Sequence, residues 1–287
     1  MRPEVAVFPV AGLGTRILPA SKAVPKELLP VLDRPLLQYA VEEAIAAGCR
    51  TLVFVLNREK LALVDYFDRA LLLEQRLAAA GKLALAEDLR RLLPEGVHSV
   101  FVLQAEPLGL GHAVLCAAPV IAGRPFAVLL PDELLIADPP VLSALAALAE
   151  ARGGAALAVM EVPEAETSRY GIVAGAPLGP ELLRVQAIVE KPAPGTAPSR
   201  LAAIGRYILP PSIIPILEKL PPGAQGEIQL SDAIAALAIA EPVYALSQPC
   251  ERYDCGQLAG WLSANLHLAL RREELKAAVL EVLARLR

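Results

Sequence analysis

The run Val5-Ala6-Val7-Phe8-Pro9-Val10 passes straight into Ala11-Gly12-Leu13-Gly14-Thr15-Arg16, and the fold is read from that junction. A short unbroken apolar run predicts a strand buried on both faces, and a glycine turn at its carboxyl end predicts the start of a crossover. Two glycines let the chain turn sharply and bring backbone N–H groups against an anion. Arg16 and Lys26 then supply two cations in a loop stiffened by Pro19, Pro25 and Pro30. Between Gly12 and Arg34 the basic residues Arg16, Lys22, Lys26 and Arg34 outnumber Glu27 and Asp33, in a chain whose net charge is −4. A glycine turn carrying an arginine and a lysine suits a triphosphate.

Outward from that junction, further apolar runs at 52–56, 99–103, 126–130 and 155–162, then at 183–189 and 203–209, are strand candidates. Leu36, Leu37, Ala40, Val41, Ala44 and Ile45 line one face of a helix that Asp33 caps, Pro35 opens and Gly48 ends. A second helical stretch is expected over 59–80, ending at Gly81. This alternation predicts an α/β fold, a Rossmann-like, mostly parallel sheet with helices on both faces. The closely spaced runs from 153 to 209 read as a β-rich extension over one edge of the sheet. The segment 262–287 reads as a helical tail whose apolar stripe, including Leu266, Leu270 and Val279, must dock on its own domain or on a partner subunit, so a homo-oligomer is expected. One domain over 1–287 is expected.

Composition narrows the function. A net charge of −4 argues against a nucleic-acid or anionic membrane surface, and 4% aromatic residues are too few for a base-stacking platform. The longest uncharged stretch, 107–123, contains proline, histidine and three glycines and is no membrane span. Cys49, Cys116, Cys250 and Cys255 form no CxxC pair, which argues against structural zinc and fits thiols in a reducing compartment. With no signal segment ahead of the first strand, a cytoplasmic protein is expected.

In open α/β sheets ligands sit beyond the carboxyl ends of the strands. Three loops meet that condition: the glycine loop after the first strand, 104–111 after the third and 131–133 after the fourth. The glycine loop matches neither the dinucleotide fingerprint GxGxxG nor the P-loop GxxxxGK[ST], so a dinucleotide site, as an NAD-dependent oxidoreductase would need, is a poor fit and a P-loop is excluded. Asp132 emerges directly from a buried strand and is either a Mg²⁺ ligand or the N-cap of the next segment. Asp254 is either a second ligand or a turn residue. Gln104 donates and accepts at once, which matches a pyrimidine imide edge, and Gly109 permits close backbone approach. His112, at the start of an apolar helix, is expected to pack rather than to react. Glu190 and Lys191 offer a hydroxyl acceptor beside a phosphate cation, or a surface ion pair.

The blocks AGLGTRILPASKAVPKELLP, QAEPLGLGHAV, LLPDEL, SRYGIV, VEKP, APSRLAAIGRYIL, GEIQLSDAI and RYDCG occur in that order. Together they closely resemble the bacterial UTP–glucose-1-phosphate uridylyltransferases, a branch of the sugar nucleotidyltransferases. The resemblance runs from Val5 to about Leu270. It implies that Ala11, Gly12 and Gly14 lie against the nucleotide, that Arg16 clamps its triphosphate and that Lys26 assists. It further implies Glu27, Gln104 and Gly109 around the uracil, and Asp132 and Asp254 as Mg²⁺ ligands. Gly171, Glu190 and Lys191 match the sugar-phosphate site of the β-rich extension. Five residues depart from the family pattern: Leu103, Ala105, Glu133, Arg200 and Leu258. None replaces a primary ligand, and they bear on the choice of sugar and of UTP over dTTP.

The activity so implied is in-line attack of a sugar 1-phosphate oxygen on the α-phosphorus of UTP, with pyrophosphate leaving. Positioning and electrostatics carry such a reaction, with no protein nucleophile. A thymidylyltransferase and a non-catalytic sugar-nucleotide-binding homologue are the alternatives.

Overall fold

The structure, a computed structural model, describes residues 1–223 and 226–285. Strand β1 (Val5–Pro9) is followed by the glycine loop, the two-residue strands β2 (Pro30–Val31) and β3 (Arg34–Pro35), helix α1 (Leu36–Ala46) and β4 (Thr51–Leu56). Helices α2 (Ala62–Phe67), α3 (Leu71–Ala79) and α4 (Leu83–Arg90) lead to β5 (His98–Leu103). The chain continues through α5 (Leu110–Ile121), β6 (Phe126–Leu129), β7 (Glu133–Ile136), α6 (Val141–Arg152) and β8 (Ala155–Glu161). Strands β9 (Gly171–Pro177), β10 (Leu182–Glu190) and β11 (Leu201–Leu209) come next. Helices α7 (Ile213–Lys219) and α8 (Leu230–Ala240), strands β12 (Val243–Leu246) and β13 (Glu251–Asp254), and helices α9 (Leu258–Arg271) and α10 (Glu273–Arg285) complete the order.

Strands β5, β4, β1 and β6 form the parallel, Rossmann-like half of a nine-stranded sheet, with Val7 opposite Val53 on one side and Val128 on the other. Side chains alternate between its two faces. Val5, Val7, Val53, Val55 and Val128 pack with Val114 and Ala117 of α5 on one face. Ala6, Phe8, Leu52, Phe54 and Leu129 pack with Val41 of α1 and Leu145 of α6 on the other. Burial on both faces is why β1, β4 and β6 read as unbroken apolar runs, whereas β5, at the sheet edge, is only half-buried. The rings of Phe8 and Phe101 flank Phe54 at 5.0 and 5.3 Å.

The second half differs from the sequence expectation. The strands between 153 and 209 do not lie over one edge. They continue the same sheet in the order β6-β11-β8-β12-β10-β9, with β11 antiparallel to both β6 and β8. The sheet as a whole is therefore mixed. The start of β11 also pairs with β9, through Leu201 and Ala202, so this half curls back on itself. Apolar β11, buried along most of its length, requires an interior position, but nothing local names its neighbours.

Three helix expectations are corrected. Pro35 occupies the N-cap position of α1, and Asp33 instead receives two hydrogen bonds from Arg272. The stretch expected to be one helix over 59–80 is broken at Asp68, whose backbone is extended, and a further helix, α4, begins after Gly81. Glu74, buried between Arg69 and Arg90, ties the pieces together. The tail begins at Leu258 and breaks at Arg272 into α9, which packs Ala264 and Trp261 beside Leu36 and Leu134, and α10, none of whose described residues is buried. The last two residues of the expected tail lie outside the described residues.

Candidate active site

The glycine loop leaves β1 where Val10 N–H bonds Val55 O at 2.8 Å and the Asn57 amide donates to Ala11 O at 2.8 Å. Ser21 closes the loop by donating to Gly14 O at 2.7 Å. Beyond it Arg16 stands exposed on a single helical turn, and Lys26 reaches across to the loop after β6. Its ammonium lies 2.6 Å from Asp132 Oδ2.

Asp132 is held by contacts from three directions. Arg206, 1% exposed inside β11, donates to Leu130 O at 3.0 Å and Glu133 O at 2.9 Å, and is itself anchored by Glu43 at 2.8 Å. These bonds clamp the turn that carries Asp132. Strand β13 pairs with β7 so that Asp254 faces Glu133, and Cys255 N–H donates to Asp132 O at 2.8 Å. The two aspartates therefore come from distant parts of the sequence to one turn. Partial burial works to raise the Asp132 carboxyl, but the charge and hydrogen bond of Lys26 outweigh it and hold the group below the usual range. Lys26 is correspondingly raised: burial works against its charge, and Asp132 and Glu27 more than compensate.

Glu27 is a correction to the sequence reading. It is 1% exposed and both its oxygens accept from Lys60 Nζ at 2.8 Å, so it faces the interior rather than a base. Lys60 is itself 5% exposed. Burial pushes the carboxyl up and the ammonium down, and each charge restrains the other's shift.

On the far side, antiparallel register sets Glu190 opposite Gly171, so close that a side-chain carbon at 171 would lie 3.0 Å from Glu190 Oε2. The next residue, Lys191, turns out with φ +43°, its N–H bonded to Tyr170 O at 3.0 Å, and its side chain is exposed.

These pieces form one trough. A cleft of about 670 Å³ is lined by Arg16, Asp132, Lys191 and Asp254, together with Arg169 and Arg252. It adjoins, through Asp132, a cleft of about 320 Å³ that holds Ala11, Gly12, Gln104 and Gly109. Through Arg169 and Tyr170 it adjoins a recess of about 150 Å³ beside Gly171 and Glu190. Clefts of this size take small organic ligands. Of the residues singled out in the sequence, Gly14 and Glu27 line none of the three, and Lys26 acts through Asp132.

Among the described residues no group of three or more His, Cys, Asp or Glu is placed to hold a metal. Asp132 and Asp254 are hard, oxygen-bearing donors at the cleft, beside Glu133, whose carboxylate is engaged by Arg252. This fits Mg²⁺, an ion that takes one or two carboxylates and completes its shell with water and substrate phosphate. No described helix is long and apolar enough to cross a membrane.

Sequence reasoning missed Lys60, Arg206, and the roles of Arg169 and Arg252. Arg252 pairs with Glu133, its guanidinium 5.1 Å from the centre of the Tyr170 ring, and Arg169 lies 3.6 Å from Asp254. Both arginines stand inside motif blocks, SRYGIV and RYDCG, and a lone arginine in the apolar run around Arg206 was the available signal for the third.

Residues 6–270 match the nucleotidyl transferase family model. The chain is 43% identical to UTP–glucose-1-phosphate uridylyltransferase 1 of Staphylococcus saprophyticus over 98% of each chain. It is 44% identical to the UTP–glucose-1-phosphate uridylyltransferase of Bacillus subtilis over 94% of this chain and 92% of that one. Its fold superposes on the UTP-bound UDP-glucose pyrophosphorylase of Acinetobacter baumannii with a TM-score of 0.91 at 40% identity, covering 100% of both chains. A parallel half-sheet ending in a basic glycine loop, two aspartates at its carboxyl edge and this breadth of similarity agree: the chain belongs to the nucleotidyl transferase family, within its bacterial UTP–glucose-1-phosphate uridylyltransferase group.

Proposed function

We propose that this chain forms UDP-glucose and pyrophosphate from UTP and glucose 1-phosphate, as a cytoplasmic, single-domain enzyme dependent on Mg²⁺. The observation that carries the reading is the convergence of Arg16, Asp132, Asp254 and Lys191, from four distant segments, on one cleft. Both reactants are anions, so the barrier is largely mutual repulsion and poor alignment.

The uracil occupies the Gln104–Gly109 cleft, with Ala11 and Gly12 along the nucleoside and Gly14 shaping the loop. Arg16 offsets charge that builds on the departing pyrophosphate. Lys191 holds the sugar phosphate, while Glu190 and Gly171 face the sugar hydroxyls. Lys26 keeps Asp132 ionised, and Asp132 and Asp254 would hold the Mg²⁺, which neutralises phosphate charge when bound. An oxygen of the sugar phosphate forms a bond to the α-phosphorus as the bond to pyrophosphate breaks. Every protein group named here acts by position and charge. The exposed apolar face of α10, with Leu280 and Leu283, supports a homo-oligomer.

The test is a matrix of UTP, dTTP, CTP and ATP against glucose, galactose and N-acetylglucosamine 1-phosphates, with pyrophosphate release as the signal. UTP with glucose 1-phosphate is expected to give the highest kcat/KM. A preference for dTTP would assign the chain to thymidylyl transfer, and no release with any pair would make it a binding protein.

A further inference from the structure

We propose that His112 is a positioning residue that fixes the orientation of the Gln104 amide and thereby selects a base whose ring edge donates an N–H. This rests on the reading of the Gln104 cleft as the base site.

Gln104 directly follows β5 and is 6% exposed, so its amide cannot choose its orientation by contact with bulk water. Its Nε2 lies 3.2 Å from Gly109 O and 3.0 Å from His112 Nδ1. A carbonyl oxygen only accepts, so the group facing Gly109 is the NH₂. An amide NH₂ only donates, so Nδ1 of His112 accepts and the imidazole is neutral with its proton on Nε2. That proton points toward Cys116 one turn on in α5, whose Sγ is 3.9 Å from Nε2. Both amide hydrogens are thus engaged on the protein side.

The anchors are themselves rigid. Gly109 has φ +96°, and a side-chain carbon there would lie 2.8 Å from Glu227 Cβ and 2.9 Å from Ile228 O. Ile228 N–H donates to Leu108 O and Ile228 O accepts from Gly111 N–H, each at 2.8 Å. The Gly109 carbonyl and the first turn of α5 are therefore locked against segment 227–228.

What remains of Gln104 is Oε1, which has no hydrogen-bond partner among the described residues, and the residue lines the cleft with Ala11 and Gly109. An outward acceptor pairs with the N3–H of uracil or thymine. Cytosine presents a lone pair at N3 and meets it acceptor to acceptor. A flipped amide would reverse the preference but would set Oε1 against the Gly109 carbonyl and the Nδ1 lone pair. His112 was expected only to pack; its ring nitrogen instead reaches the base-reading side chain.

The experiment measures kcat and KM for UTP, dTTP and CTP with the full chain carrying His112→Leu, His112→Ala or His112→Asn, CTP being read as a competitor of UTP where it is not turned over. Thermal melts confirm folding, and Ala serves if Leu does not fold. Asn places an acceptor oxygen near the Nδ1 position. With Leu or Ala, the UTP-over-CTP ratio should fall roughly three- to tenfold, the worth of about one neutral hydrogen bond. The loss should appear in KM, with kcat within about twofold, because the base contact is equal in ground and transition states. The UTP-to-dTTP ratio should stay constant, since both bases carry N3–H. Asn should restore the wild-type ratio. Unchanged discrimination in Leu and Ala, an equal loss in Asn, or a fall in kcat with the ratio intact would each overturn the proposal. Absence of uridylyl transfer by the wild type would instead overturn the reading of the cleft, and this proposal with it.

Discussion

The Lys26 ammonium lies 2.6 Å from Asp132 Oδ2, and this pair marks the point where the cleft that holds Gln104 meets the cleft that holds Lys191. Its two side chains are 17% and 30% exposed, so the pair is accessible to a ligand while shielded enough for its charges to matter. Replacing Lys26 by alanine leaves Asp132 without its counter-charge in the place where phosphates must gather. We expect Lys26→Ala to lower kcat on the order of 10²-fold. Steady-state kinetics beside a thermal melt checks this; full activity in a folded variant would contradict it.

Arg16 and Lys191 are both exposed and have no packing role, so their loss should spare the fold. Arg16→Ala is expected to cost roughly 3–4 kcal/mol of transition-state stabilisation, on the order of 10²–10³ in kcat. Lys191→Ala should also raise KM for glucose 1-phosphate by about tenfold or more while KM for UTP moves little, because Lys191 lines a different cleft from Gln104. Separate titration of each substrate distinguishes the two roles.

The Glu27–Lys60 pair has the opposite character. At 1% and 5% exposure it is interior, and removing one partner strands a buried charge. Lys60→Met is expected to destabilise the chain by about 3–5 kcal/mol, whereas the double variant Glu27→Leu/Lys60→Met should recover most of that. Urea unfolding at neutral pH reads both. If the single variant is as stable as the wild type, the pair has been misplaced.

Acid should loosen the tail through Asp33. Hydrogen bonds from Arg272 hold this carboxyl at about 2, against an ordinary 3.8. A depressed folded-state value stabilises the fold above the unfolded pKa, and that contribution fades as pH falls from about 4 toward about 2. The two side chains are 54% and 31% exposed, so screening limits the gain to about 1 kcal/mol or less. The stability gap between wild type and Asp33→Asn should be present at pH 7 and close by about pH 2. A gap that widens in acid would contradict this.

The parallel half of the sheet was legible because β1, β4 and β6 are buried on both faces and therefore continuously apolar, and the half-buried edge strand β5 keeps an apolar run at 100–103. The loops at its carboxyl edge follow from that, which is why Ala11, Gly12, Gln104, Gly109 and Asp132 line one cleft. The placement of β11 was not legible, because an apolar run states that a strand is interior without stating between which neighbours. Lys60, Arg206 and His112 escaped for a related reason. Each acts through another side chain or turn, Lys60 on Glu27, Arg206 on the Asp132 turn and His112 on Gln104, and such partnerships depend on tertiary proximity across 33, 73 to 76 and 8 residues. Glu27 was misread for the same reason, since its neighbour in sequence, Lys26, reaches Asp132 while Glu27 faces the core.

Phosphorus NMR of the wild type with UTP, glucose 1-phosphate and Mg²⁺ tests most directly whether the trough joins two phosphorylated ligands. The account requires UDP-glucose and pyrophosphate to rise in equal amounts as both substrates fall, with neither product formed when glucose 1-phosphate or Mg²⁺ is withheld. Pyrophosphate released from UTP without the sugar phosphate, or orthophosphate in its place, would contradict it.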